Sequence, residues 1–144
     1  MSFAIDSSCI VAALCEWHEA HEQVFDALNK AIARAQVVIP AHALVESYAV
    51  LTRLPPPHRL TAETAVNALS TLKENAHLAA LPALAYWNFI GRVAEKRIAG
   101  GTSYDALILE TARHAKVDAF WSLNTSHFAR LNPAPIELVN PLHL

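Results

Sequence analysis

The apolar positions along the chain fall into short runs that alternate with helical stripes. Three runs, at 3–5, 37–39 and 119–123, predict buried strands because they are short and rich in β-branched or aromatic residues. Two further segments, 78–81 and 135–139, are weaker strand candidates, and the second would lie at a sheet edge. The pattern therefore predicts five strands, which are distributed along the whole chain.

Helical periodicity fills the intervals between these runs. Ser7 and Ser8 offer N-caps for a first helix, and Pro40 suits the first turn of a later one. Six helices are predicted, at 7–14, 19–35, 41–54, 61–72, 82–98 and 103–115. Strands that alternate with helices predict βαβ units, so we expect one α/β domain over residues 1–144 with helices on both faces of a mostly parallel sheet.

Composition and charge limit the classes of protein to which the chain can belong. Hydrophobic residues make up 53% of the chain and charged residues 17%, which excludes a disordered protein. The formal net charge of −2 argues against a protein that depends on sequence-independent DNA binding, since such proteins carry a basic excess. Any nucleic acid must be held by a local patch or through metal ions.

The sequence also predicts a cytoplasmic protein. No secretory signal is visible after Met1, and the longest uncharged apolar stretch, 78–90, is broken by a proline and too short to span a bilayer. Cys9 and Cys15, the only cysteines, lack finger-like spacing. We therefore interpret them as small buried thiols in a reducing compartment.

Three acidic side chains are placed to face one end of the predicted sheet. Asp6 directly follows the first strand, Glu46 lies in the helix after the second, and Asp105 lies in the first turn of the helix after Gly100. Ligands of parallel α/β sheets bind beyond the carboxyl ends of the strands. Carboxylate oxygens suit Mg²⁺ or Mn²⁺, which can polarise a phosphoryl oxygen and activate water.

Each acid has a simpler explanation when it is taken alone. Asp6 could be a helix N-cap, and Glu46 could pair with Arg53 on an exposed helix face. Asp105 follows Thr102 by three positions, as in a capping box. Only the three acids together favour a metal site.

Four blocks in order resemble the motifs of PIN-domain nucleases. The blocks are residues 6–10 (DSSCI), 40–51 (PAHALVESYAVL), 103–112 (SYDALILETA) and 121–128 (WSLNTSHF). The segment 48–55 (YAVLTRLP) is also similar to one found in many VapC-type toxins. The blocks span nearly the whole chain, and they identify it as similar to the small members of this family.

The resemblance implies a Mg²⁺- or Mn²⁺-dependent endoribonuclease that hydrolyses RNA, forms a homodimer and is blocked by a cognate VapB-type antitoxin. It places Asp6, Glu46 and Asp105 as metal ligands and Asn124 as the fourth catalytic position. Many members carry Asp where this chain has Asn124, and a further acid where it has His127. The loss of one charge lowers the expected metal affinity and puts a second ion in doubt.

Other polar residues have two interpretations each. Ser122 could orient a neighbouring carboxylate or be an ordinary strand-end hydroxyl, and His127 could bind metal or phosphate or be a turn residue. Arg53 and Arg59 are candidates for a phosphate-binding patch, with solvated helix-end cations as the alternative. Asp118 precedes a strand, so we expect it at the opposite end of the sheet.

Histidines and tryptophans elsewhere favour simpler roles. His18 and His21 favour a surface helix face over a zinc site because the ligand set is incomplete. The tryptophans Trp17, Trp87 and Trp121 are expected in the core or in a dimer interface.

Two rival functions remain open. One is a PIN-like module that binds RNA or an antitoxin after losing catalysis through Asn124; it would bind RNA equally well with or without metal. The other is a receiver-like phosphoacceptor domain, which needs an acidic pair near residue 10 and a lysine near the end of a late strand. Residues 9–11 are apolar, and the late Lys116 precedes its strand, so this second rival fits poorly.

Overall fold

The sheet of the computed structural model, which describes all of residues 1–144, contains five strands, all parallel. Their order is β3-β2-β1-β4-β5. The strands are β1 (Ser2–Ile5), β2 (Gln36–Pro40), β3 (His77–Ala79), β4 (Ala119–Trp121) and β5 (Glu137–Val139). All five predicted strands are present, and the sheet is wholly rather than mostly parallel.

Seven helices flank the sheet and give the predicted three-layer α/β/α arrangement. They are α1 (Ser7–Leu14), α2 (His21–Ile32), α3 (Ala41–Arg53), α4 (Ala62–Glu74), α5 (Ala83–Glu95), α6 (Thr102–His114) and α7 (Thr125–Ala129). A 3₁₀ turn, Pro141–His143, closes the chain. No helix combines the length and the apolar character that a bilayer crossing needs.

The main departures from prediction lie at helix ends and in α7. Arg97 adopts φ 57°, and the amides of Arg97 and Ile98 bond back to Ala94 and Val93, so α5 ends before the predicted position 98. The helix α2 is shorter at both ends than predicted. The helix α7 was not predicted, since within its five residues only Phe128 is buried.

A continuous apolar core joins the sheet to its helices. The central strand β1 is buried from Phe3 onward, and the Phe3 ring stacks on Trp121 of β4 with centroids 4.4 Å apart. Cys9 and Cys15 are buried free thiols, as predicted. Trp121 lies in the core, as the first of the two expected roles predicted, whereas Trp17 and Trp87 are exposed, which leaves the dimer interface as the predicted role for these two.

The strand order creates a crevice at one edge of the sheet. From β1 the chain proceeds outward through β2 to β3, and it then returns to place β4 on the other side of β1. The connections diverge between β1 and β4, at the switch point where ligands bind in such sheets. Asp6 and Ser122 directly follow these two strands, and the Asp6 amide donates to the Trp121 carbonyl at 3.1 Å.

Candidate active site at the carboxyl edge of the sheet

Asp6 is buried at the centre of this crevice, and three neighbouring groups donate hydrogen bonds to its carboxylate. Its Oδ1 accepts hydrogen bonds from Ser8 Oγ at 2.6 Å and from the Cys9 amide at 3.1 Å. Its Oδ2 accepts from Ser122 Oγ at 2.6 Å, which leaves this oxygen one further lone pair. Asp6 is also the N-cap of α1, as its simpler explanation predicted. The N-cap predicted from Ser7 and Ser8 is therefore wrong, because Asp6 takes that position.

The two serines flanking the crevice each connect Asp6 to the loop after β4. Ser122 Oγ accepts from the Asn124 amide at 2.9 Å, and Ser8 Oγ accepts from the Leu123 amide at 3.0 Å. Each hydroxyl thus accepts a hydrogen bond from a backbone amide and donates one to the Asp6 carboxylate. Ser122 therefore orients a carboxylate, as the first of its two interpretations predicted.

Glu46 is held by α1 and by its own helix rather than by Arg53. Ser7 Oγ donates to Glu46 Oε1, and His42 Nε2 lies 3.9 Å from Glu46 Oε2. No ion pair joins Glu46 to Arg53, so the alternative of a Glu46–Arg53 pair is wrong. The serines Ser7 and Ser8, consecutive in the chain, serve two different carboxylates.

Asp105 lies half-buried in the first turn of α6 and forms no capping box. The N-cap of α6 is Gly101, and no side chain caps the helix, so that alternative is also wrong. Asp105 is therefore not committed to a structural hydrogen bond at the helix end.

The pKa values of Asp6 and Asp105 are both raised, in part by the charge of a neighbouring acid. Burial is the largest effect on Asp6 and raises its pKa, and the charge of Asp105 raises it further. Hydrogen bonds from Ser122, Ser8 and Cys9 lower the pKa and so oppose this rise. Burial and the charge of Glu46 raise the pKa of Asp105, and His127 opposes that rise. His127, in the last turn of α7, therefore lies near Asp105 although its side chain is exposed.

Like charges gathered at a sheet edge fit a cation, and the donor set is all oxygen. No three His, Cys, Asp or Glu side chains converge as closely as a protein-only metal cage requires. Mg²⁺ does not need such a cage, because it is commonly held by one or two carboxylates together with water and substrate phosphate. The residues present therefore fit a hard divalent ion in their chemistry and charge.

The remaining predicted residues lie around this centre or away from it. Asn124 is exposed in a groove of about 460 Å³ that Ser7 and Ser8 also line. Its backbone amide donates to Ser122 Oγ, which in turn donates to Asp6. Arg59 Nε donates to the Leu54 carbonyl, whereas Arg53 is exposed at the end of α3. Neither Arg53 nor Arg59 forms an ion pair with any of the three carboxylates.

Asp118, His18 and His21 make no hydrogen bond or ion pair with the three carboxylates, although His18 lines the same groove as Asn124. Asp118 accepts from the Ser2 amide at the start of β1, at the opposite end of the sheet, as expected. His18 and His21 bond backbone groups and belong to no metal-binding cluster.

Sequence reasoning missed Ser7, Ser8, His42 and Tyr104. The two serines had been interpreted only as caps. His42 Nε2 lies near Glu46, and its ring stacks on Tyr104, the residue before Asp105. The available signal was adjacency, since each of the four lies one to four positions from a predicted acid.

The sequence is similar to a known protein family and to a named ribonuclease. The family model for the PIN domain matches residues 3–132. Ribonuclease VapC40 of Mycobacterium tuberculosis is 44% identical over 112 residues, which cover 78% of this chain and 79% of that protein.

Solved structures share the fold at low identity. VapBC2 of Rickettsia felis, bound to a DNA fragment from its promoter, superposes with a TM-score of 0.70 at 15% identity, over 97% of this chain and 98% of that one. Mycobacterium tuberculosis VapC20, described as a sarcin-ricin loop cleaving toxin, gives a TM-score of 0.70 at 15% identity, over 89% and 94%.

Proposed function

The chain belongs to the PIN-domain family, and from that premise we propose that it is a divalent-metal-dependent endoribonuclease, the toxin of a VapBC-type toxin–antitoxin pair. Residues 1–144 form one catalytic domain that acts in the cytoplasm. The observation that supports the proposal is that Asp6 lies buried at the crevice between β1 and β4, where the charge of Asp105 raises its pKa and the charge of Glu46 in turn raises the pKa of Asp105.

In this proposal Asp6, Glu46 and Asp105 hold Mg²⁺ or Mn²⁺, and Asn124 completes the pocket as the fourth catalytic position. The ion would supply Lewis-acid polarisation of the phosphate and a water of lowered pKa. Asp6 Oδ2 is the oxygen with a lone pair to offer, since Oδ1 already accepts two hydrogen bonds. Ser7 and Ser8 keep Glu46 and Asp6 from rotating away.

We propose Arg53 and Arg59 as local contacts for RNA phosphates. The chain has a net charge of −2 and an acidic centre, so cations beside the crevice are needed to receive a polyanion. Arg53 is exposed and lies seven residues after Glu46 on α3, which places both on one side of that helix.

The partner of this site is a VapB-type antitoxin. A basic side chain of the antitoxin, above all an arginine, would pair with carboxylates at the crevice and displace the metal. The structural neighbour from Rickettsia felis is itself a VapBC complex, which supports such a partner.

The decisive experiment is cleavage of a total small-RNA pool by purified protein with Mg²⁺ or Mn²⁺. We expect discrete products that disappear with EDTA and in the Asp6→Asn variant, because both remove the means of activating water. A folded, metal-supplied protein that binds RNA equally well with and without metal, and does not cleave it, would instead support the non-catalytic binding module.

The homodimer is proposed to form through α5. This helix exposes a stripe of apolar side chains one turn apart: Leu84, Trp87 and Ile90, exposed by 73%, 70% and 52%. Monomers of soluble proteins seldom leave such stripes uncovered. We expect light scattering at micromolar concentration to give twice the mass of one chain. A monomeric mass would contradict the dimer.

A further inference from the structure

An aromatic pair stands beside the carboxylates, and the chemistry proposed above gives its stacked rings no role. The ring of Tyr104 on α6 stacks on the imidazole of His42 on α3, with centroids 4.9 Å apart and planes 11° from parallel. Tyr104 directly precedes Asp105, and His42 Nε2 lies 3.9 Å from Glu46 Oε2. The pair therefore joins the two helices that carry the outer carboxylates.

The Tyr104 ring is large, flat and accessible. It is 54% exposed although one face is covered by His42. His42 is itself supported on its own helix by Glu46. A rigidly backed aromatic ring with a free face is costly to leave in water unless a partner covers it.

The charge of the site indicates what that partner is. Three carboxylates and a net charge of −2 repel phosphates, so affinity for RNA near the crevice needs contacts that do not depend on charge. Stacking of an unpaired base on an aromatic ring is such a contact, and every base offers a flat face for it.

We propose that Tyr104, backed by His42, is the platform on which one unpaired nucleobase of the RNA substrate stacks. The inference rests on the proposed ribonuclease function and deepens it. Because Tyr104 adjoins Asp105, the stacked base belongs to a nucleotide next to the scissile phosphate. The platform positions the substrate and selects single-stranded over paired RNA, since the faces of a base inside a duplex are covered by its stacked neighbours.

The test measures binding separately from cleavage. Proteins that carry Asp6→Asn, and so cannot cut, are titrated in Mg²⁺ against a fluorescein-labelled 12-nucleotide single-stranded RNA of mixed sequence and against an abasic chain of equal length. Adding Tyr104→Ala should weaken binding of the base-bearing RNA about 5- to 150-fold, the range for loss of one base stack. Binding of the abasic chain should not change.

Two variants control for structural damage. Tyr104→Phe keeps the ring and should bind as the parent does. Phe25→Ala removes another exposed aromatic ring that lies beside a histidine, His21. Both residues are on α2, which carries none of the three carboxylates, so RNA binding should again be unchanged.

The outcomes separate this inference from the proposed function. Equal weakening on both RNAs, or no weakening at all, overturns the platform. Absence of cleavage by the unsubstituted protein overturns the ribonuclease proposal. Cleavage by the unsubstituted protein, together with undiminished RNA binding when Tyr104→Ala is added to the Asp6→Asn protein, overturns the platform alone.

Discussion

Replacing Asp105 by Asn should lower RNA cleavage at least about 100-fold and leave the protein no less stable. The amide keeps the size of the carboxyl group and removes the negative charge that a divalent ion requires. Asp105 makes no capping contact in α6, so no structural hydrogen bond is lost. The measurement is the initial cleavage rate at saturating Mg²⁺, together with the melting temperature in EDTA.

The stability half of this prediction follows from the direction of the pKa shift. Burial and the charge of Glu46 raise the pKa of Asp105 in the folded state. A raised pKa means that the fold favours the protonated form, so stability is greatest below the unfolded pKa and falls as pH rises through the folded one. At neutral pH the ionised Asp105 therefore opposes folding, and the Asn variant should melt at the same temperature or higher.

Asp118→Asn is the matched control, because it makes the same chemical change at the opposite end of the sheet. An Asn side chain can still accept the hydrogen bond from the Ser2 amide, so activity and stability should both be retained. Full activity in the Asp105→Asn variant would remove Asp105 from the catalytic machinery. A melting temperature several degrees lower would show that Asp105 stabilises the fold through a contact of its own.

Much of the fold could be predicted because the strands lie in short, fully apolar segments. Residues 37–39 carry three β-branched side chains before Pro40, and no other element suits such a run. The helix α7 escaped prediction for the opposite reason. A five-residue helix with one buried side chain, Phe128, has no period that can be recognised.

The positions of the three acids of the candidate site follow from chain order, so their placement toward one edge of the sheet could be predicted. Asp6 ends a strand, and all parallel strands present their carboxyl ends at one edge. The hydrogen-bonding serines were not predictable, because their partners are distant in sequence. Ser7 reaches Glu46 across 39 positions, and Ser8 receives the Leu123 amide across 115.

The aromatic pair illustrates the same limit in a different interaction. His42 and Tyr104 lie on separate helices, and nothing in either segment indicates that the rings will meet. Only the packing of α3 against α6 brings them together. Prediction from sequence thus finds residues tied to element ends, and it misses pairings that tertiary packing creates.

Ser122→Ala should reduce cleavage about 10- to 100-fold and destabilise the protein by about 1–3 kcal/mol. The Ser122 hydroxyl is fully buried, donates to Asp6 Oδ2 and accepts from the Asn124 amide. Removing it leaves a buried carboxylate oxygen and a backbone N–H without partners. Ser122 also lowers the pKa of Asp6 more than any other group does, so its loss further disfavours the ionised carboxylate.

Ser47→Ala separates this effect from the loss of any buried hydroxyl. Ser47 is also fully buried, yet its Oγ donates only to the Ala43 carbonyl of its own helix, whose backbone bonding survives the substitution. We expect wild-type cleavage and a change in unfolding free energy below about 1 kcal/mol. Urea denaturation and initial rates compare the two variants. Equal losses in both would mean that Ser122 contributes no more than a buried hydroxyl does, because Ser47 contacts neither Asp6 nor the loop after β4.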